Sequence, residues 1–187
     1  MKMPIEFPEG LFDVIVADPP WRSDFGKTCS RATERHYPTM ELEEICSLQI
    51  PAANGALLFM WATAPMLAKS LRVMTRWGFE YRTNMVWCKD KAGTGKWVRN
   101  QHEHILIGRR GMFPAPIAGA GSHRSIPPSV FHAPRKQHSQ KPEGLQDMIE
   151  RVYPLGDGHR YLELFARRTR ENWAVWGNDP ALIEVPA

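Results

Sequence analysis

The chain has 187 residues, 43% of them apolar, and a formal net charge of +4 at neutral pH, which fits one soluble globular domain over residues 1–187. It contains no run of eighteen apolar residues and no basic-then-apolar leader, so neither a membrane span nor a secretory signal is expected. Cys29, Cys46 and Cys88 are odd in number and form no CxxC pair, which argues against a disulfide framework or structural zinc and for a reducing, cytoplasmic location.

The first strand is predicted over Asp13–Ala17, where Val14-Ile15-Val16-Ala17 reads as a run buried on both faces. Asp18-Pro19-Pro20-Trp21 then stops it. Two successive prolines make a stiff, extended corner. Open α/β sheets bind ligands at such corners, beyond the carboxyl ends of parallel strands. A plain strand-ending turn is the simpler reading of the same four residues. A helix follows over Met40–Leu48, with Thr39 as its cap and Glu41 in its first turn. Next come a strand at Ala56–Trp61 and a helix at Pro65–Trp77, stopped by Gly78. Asn84–Lys89 and Glu103–Gly108 read as strands. Pro142 opens a helix running to Val152, which Pro154 ends. Tyr161–Phe165 and Asn172–Trp176 are the last strands. This alternation predicts an α/β fold, a mostly parallel sheet flanked by crossover helices. Arg22–Pro38, Ala92–Asn100 and Gly111–Gln140 read as loops. The last runs about thirty residues without a clear period, a length usual for functional or disordered segments.

Charge is unevenly placed. From Lys89 to Lys141 there are ten Lys and Arg against Asp90 and Glu103, so this stretch carries +8 and the remainder −4. A basic segment in an otherwise acidic chain points to a polyanion, nucleic acid above all, although a solvated loop would look the same. Lys89, Arg99, Arg109 and Arg110 are the candidate phosphate contacts. The Asp18 corner adds chemistry. Neither proline has an N–H to compete for acceptors, so the Asp18 carboxylate and the Pro19 carbonyl can both accept from one –NH₂ group. An adenine exocyclic amine presents such a group. Trp21 and Pro20 supply flat apolar surface for a base, which must first leave any duplex stack. The electrophile that fits is the methyl of S-adenosylmethionine.

Lys91–Trp97, "KAGTGKW", resembles a phosphate loop but has Asp90 in place of the first glycine and Trp97 where Ser or Thr should hold magnesium, so it is rejected. His102-Glu103-His104 lacks a third ligand at convincing spacing, and no metal is expected. Lys141 stands just before a helix, where it can meet an anionic group, whereas a solvated Lys at a helix start is the more common case. Glu163 is an acid inside the apolar strand "YLELF"; acids near strand ends bind ribose hydroxyls in dinucleotide-type folds, whereas an edge-facing Glu is the plainer alternative.

Seven segments occur in order: "ADPPW", "YPTM" (Tyr37–Met40), "LLFMWAT" (Leu57–Thr63), "MVWCK" (Met85–Lys89), "EHILIGRRG" (Glu103–Gly111), "HSQKP" (His138–Pro142) and "LELFARRTRENWAVWGND" (Leu162–Asp179). Together they resemble the MT-A family of adenine N-6 methyltransferases, bacterial and phage members included, from about Phe12 to Asp179. The resemblance implies a Rossmann-like class I methyltransferase fold in permuted order, with the catalytic motif ahead of the cofactor motif. It implies S-adenosylmethionine as cofactor and nucleic acid as substrate, DNA by preference and RNA as the alternative. Homodimers, heterodimers and nucleic-acid-binding subunits that need a partner all occur in such a family. By resemblance, Asp18, Pro19, Pro20 and Trp21 form the catalytic loop. Lys141 contacts the methionine carboxylate; Asp18, Glu163, Phe165, Arg167, Asn178 and Asp179 complete the cofactor site; Tyr37 and Glu103 shape the target-base pocket. Thr169 and Arg170 stand where regulatory members often carry His-Asn, and Asp179 where Gln is common.

Overall fold

The computed structural model describes residues 6–22, 39–93, 95, 97–116, 126–135 and 140–177. In chain order they form β1 (Phe12–Ala17), α1 (Leu42–Ser47), β2 (Ala52–Ala62), α2 (Leu67–Arg76), β3 (Glu80–Lys89), β4 (His102–Arg110), β5 (Val130–Ala133), α3 (Gly144–Val152), β6 (Tyr161–Leu164) and β7 (Trp173–Trp176). The seven strands lie in one sheet of order β5-β3-β4-β2-β1-β6-β7. Pairings β1–β2, β1–β6, β3–β5 and β6–β7 are parallel. Only β4 opposes its neighbours β2 and β3, so six strands share one direction.

Strand alternation sorts the core into two layers. Ile15 and Ala17 of β1, Leu58 and Met60 of β2, and Leu162 and Leu164 of β6 pack with Ile45 of α1 and with Val73 and Met74 of α2. Val14 and Val16, Phe59 and Trp61, Met85 and Trp87, and Ile105 face the other way, onto Leu145, Met148, Ile149 and Val152 of α3. The sheet is thus covered on both faces, which explains why β1 carries no polar residue between Val14 and Ala17. Two indole hydrogen bonds fix elements within their own layers, one joining the α1 and α2 region and the other joining β3 to β5. The buried Trp77 indole donates to the Ile45 carbonyl at 2.8 Å, and the Trp87 indole to the Ala133 carbonyl at 2.9 Å.

Three local expectations are corrected. The stretch Gly111–Gln140 contains a strand, β5, paired in parallel with β3 from Val86↔Val130 to Lys89↔Ala133. The first helix starts at Leu42 with Glu41 at its cap, not Thr39. Met40 cannot begin a helix because its N–H donates to the Pro20 carbonyl at 2.9 Å and its carbonyl accepts from the Arg22 N–H at 3.2 Å. Glu44 instead reaches back to the Glu41 N–H at 2.8 Å, satisfying one of the helix's orphan donors. The sixth strand ends at Leu164 because Phe165 turns left-handed, with φ +60°.

The β3–β4 connection is a hairpin closed at two levels. The Lys89 N–H donates to the Gln101 carbonyl and, farther out, the Gly93 N–H to the Asn100 carbonyl, both at 2.8 Å. No helix among the described residues is long and apolar enough to cross a membrane.

Candidate active site

The carboxyl ends of the six co-directed strands make one edge of the sheet, and the reversed β4 brings its amino end to the same edge. Asp18 follows β1, the neighbours of which are β2 and β6. Chain connection reverses across this point, β1 leading to β2 on one side while β6 arrives late on the other. Such a switch point opens a crevice outside the strand ends.

Asp18 is half-buried and Pro19 buried. The Trp21 N–H turns back onto the Pro19 carbonyl at 2.9 Å, closing a tight turn around Pro20. Met40 clamps that turn through its paired backbone bonds to Pro20 and Arg22. The Trp21 ring is half-buried against the core layer of α1 and α2. Asp18 is therefore presented from a corner held at both ends. The Pro19 carbonyl keeps a second lone pair for another donor.

Four charged groups alternate beside it. The Lys141 ammonium sits 2.8 Å from Asp18 Oδ2 and 3.5 Å from Glu103 Oε2. The Lys89 ammonium sits 2.6 Å from Glu103 Oε1. Strand register explains the second pair: Trp87 lies opposite Glu103, so Lys89, two residues on, reaches it diagonally on the same face. Lys141 also lies over the Trp61 ring at 5.6 Å and Lys89 over the Trp87 ring at 4.9 Å. The two indoles meet edge to face, their centroids 5.9 Å apart. Glu103 is buried, and burial alone would raise its pKa. The Lys141 and Lys89 ammoniums outweigh burial and hold Glu103 below the usual carboxylate range.

Glu163 stands in register with Val16, one strand over from Asp18, on the α3 face. Its Oε2 accepts from the Gln146 amide at 3.3 Å. Here burial prevails and pushes the Glu163 pKa up; the Gln146 hydrogen bond and the Arg168 charge pull it down, Asp18 adds to the rise, and Arg170 opposes it. Phe165 is buried, stacked on Trp77 at 6.5 Å and edge-on to Trp176 at 5.4 Å. Its left-handed backbone is unusual for a bulky side chain and marks a strained turn two residues after Glu163. Arg167 is half-buried just beyond.

A family model described as MT-A70 matches residues 12–179. The chain belongs to the MT-A70 family. Among MT-A70 relatives and their kin, it is 32% identical to the type II methyltransferase M.MunI of a Mycoplasma species, over 97% of this chain and 81% of that protein. It is 30% identical to the N(6)-adenosine-methyltransferase MT-A70-like protein of Drosophila melanogaster, over 93% of this chain and 29% of that protein. It is 29% identical to the human N(6)-adenosine-methyltransferase catalytic subunit METTL3, over 90% of this chain and 28% of that one. The chain thus spans less than a third of these two eukaryotic relatives.

In this MT-A70 chain the residues singled out from sequence fall into four groups. Asp18, Pro19, Pro20, Trp21, Lys89, Glu103, Lys141, Glu163, Phe165 and Arg167 lie at the carboxyl edge. Arg109 and Arg110 do not: they end β4, opposite Leu57 and Ala56 in the middle of β2, and Arg109 lies opposite Glu80 where β3 starts, towards the far edge of the sheet. The Arg110 guanidinium lies there 3.5 Å from the Ala52 carbonyl. Lys89 is at the site, with its ammonium turned inward onto Glu103 rather than out to the surface. Arg99 is exposed in the β3–β4 hairpin, beside a Trp97 side chain that is 98% exposed. Tyr37, Asn178 and Asp179 lie outside the described residues, as does His138. Trp61, Trp87 and Gln146 were not singled out. The first two carried a signal, since each shares strand parity with a site residue or its partner. Among the described residues no three His, Cys, Asp or Glu side chains are grouped to hold a metal.

Proposed function

We propose that this chain transfers a methyl group from S-adenosylmethionine to the N-6 amine of adenine in DNA. The observation that carries this reading is the Asp18-Pro19-Pro20-Trp21 corner, held at the carboxyl end of β1 one strand from Glu163. The donor set suits the cofactor. A half-buried carboxylate near a strand end is an acceptor for ribose hydroxyls, and an ammonium one strand away, at Asp18, suits a methionine carboxylate. Glu163 and Lys141 would fill these roles, with Phe165 and Arg167 alongside. S-adenosylmethionine supplies, when bound, a methyl activated by a positively charged sulfonium.

The chain's own residues handle the amine. Asp18 and the free lone pair of the Pro19 carbonyl accept its two hydrogens, which aims the nitrogen lone pair and stabilises the positive charge developing there. The Lys141 ammonium already occupies Asp18 Oδ2, so an incoming amine takes the other oxygen or displaces Lys141. Pro20 and Trp21 border the ring of a base that has left its stack. Glu103, kept ionised by its lysines, is a fixed acceptor at the pocket wall. Most of the acceleration comes from orientation and from acceptors already in place. DNA is favoured because the bacterial type II relative matches along most of both chains, whereas the adenosine methyltransferases match over a fraction of theirs.

The test is digestion and mass spectrometry after incubation with S-adenosylmethionine and single-stranded DNA, duplex DNA or RNA. N-6-methyladenine in a DNA pool, lost with Asp18→Ala, is the expected result. Product in RNA alone moves the substrate to RNA. No product, with S-adenosylhomocysteine bound, would assign the chain to a complex that needs a second subunit. Neither product nor cofactor binding refutes the proposal.

A further inference from the structure

Gln146 is the third residue of α3, on the helix face that also carries Leu145, Met148, Ile149 and Val152. Its residue surface is only 3% exposed. Its Nε2 donates to Glu163 Oε2 at 3.3 Å, but its Oε1 is buried without a hydrogen-bond partner among the described residues. An orphaned amide oxygen is destabilising, and a leucine of similar size would fill the space without that penalty. Packing alone therefore does not account for a glutamine here. The polar contact that does is the one to Glu163.

We propose that Gln146 is a positioning residue for the cofactor, fixing one oxygen of the Glu163 carboxylate so that its remaining lone pairs face the ribose hydroxyls. The inference rests on the reading of Glu163 as the ribose acceptor. Electrostatics support it. Burial, and to a lesser degree Asp18 beyond β1, push Glu163 towards its neutral form; Gln146 on α3, and Arg168 and Arg170 beyond β6, oppose this. Of these, Gln146 alone is both uncharged and hydrogen-bonded to the carboxylate. A protonated Glu163 would donate from one oxygen and lose acceptor capacity for the ribose.

Calorimetry of S-adenosylhomocysteine binding, across buffers from mildly acidic to mildly basic, tests this with Gln146→Leu, Gln146→Glu and Glu163→Gln. The native affinity should fall on the acid side as Glu163 gains a proton. Gln146→Leu should weaken binding about tenfold at neutral pH and shift that fall to higher pH. Gln146→Glu should shift it further, because two facing carboxyls share a proton. A Gln146→Leu curve that matches the native one, or lies parallel to it at every pH, overturns the positioning role. Should that variant not fold, an unshifted acid-side fall in Gln146→Glu overturns it equally. Native affinity in Glu163→Gln would instead refute the reading of Glu163 itself.

Discussion

Replacing Lys89 with methionine keeps most of the length of the side chain and removes its charge. The Lys89 and Glu103 side chains are only 15% and 10% exposed, so Glu103 cannot recover the loss by turning to water. Removing one partner of a buried pair typically costs about 3–5 kcal/mol. Lys141 remains, but at 3.5 Å and shared with Asp18, so its compensation is partial. A loss of about 2–4 kcal/mol follows, or about 5–15 °C in Tm for a chain of this size. The pH dependence distinguishes this cause from lost packing. In the native protein the two ammoniums hold Glu103 below the usual carboxylate range. Its contribution is therefore complete above the unfolded carboxyl value and disappears as pH falls through the lower folded one. Without Lys89 the balance turns towards burial, which favours the protonated acid. The deficit of Lys89→Met should be largest near neutrality and shrink in acid. Lys89→Met with Glu103→Gln should regain much of it, since no uncompensated charge remains. Urea titrations of the native chain and both variants over a pH series measure each quantity. A deficit constant with pH, or a double variant no better than the sum of its parts, would refute the reasoning. The same variant should leave the salt slope of DNA binding unchanged, because Lys89 faces inward.

Other perturbations have equally definite outcomes. Trp97→Ala should weaken single-stranded DNA binding by about 1–3 kcal/mol, the worth of one stacked base, with Tm unmoved; native tryptophan emission should be quenched by DNA and that quench reduced in the variant. Arg170→Ala removes a forked contact with Glu150, two oxygens at 2.7 Å. Its hydrogen bond is the main reason Glu150 stays below the ordinary carboxylate range. The variant should lose about 1–2 kcal/mol at neutral pH and progressively less as pH falls through the native Glu150 value, read by thermal melts. Gly108→Ala would set a Cβ 2.8 Å from Met74 Sδ and 3.1 Å from Phe79 Cβ, at a cost of about 1–3 kcal/mol in urea.

What could be read ahead of the structure was chemistry standing where it does not belong. A proline pair after an apolar strand and an acid within "YLELF" are both anomalies of residue type, and both mark the crevice. Most predicted elements lie within a few residues of the observed ones, because long apolar runs have only one way to be buried. Strand β5 escaped detection: it is four residues long, pairs on one side only, and sits in a Pro- and Gly-rich stretch. The distance of Arg109 and Arg110 from the crevice was hidden for another reason. No residue in β4 announces which way the strand points, and its reversal carries them to the far edge. Lys89 read as a phosphate contact because charge in a sequence has no inside or outside. Gln146 gave no signal, since helices of this size routinely carry a glutamine on a solvated face.

The doubly closed hairpin has a consequence for how such a catalyst can diversify. Everything that fixes Lys89 and Glu103 lies at or below the Lys89–Gln101 rung, and Gly93 with Asn100 forms a second clasp above it. The segment beyond that clasp carries the exposed Trp97 and Arg99. It is an interchangeable head on a fixed handle. A hairpin of another length or sequence joined at this clasp would change what the exposed tip presents, while the Lys89–Gln101 rung beneath keeps its register.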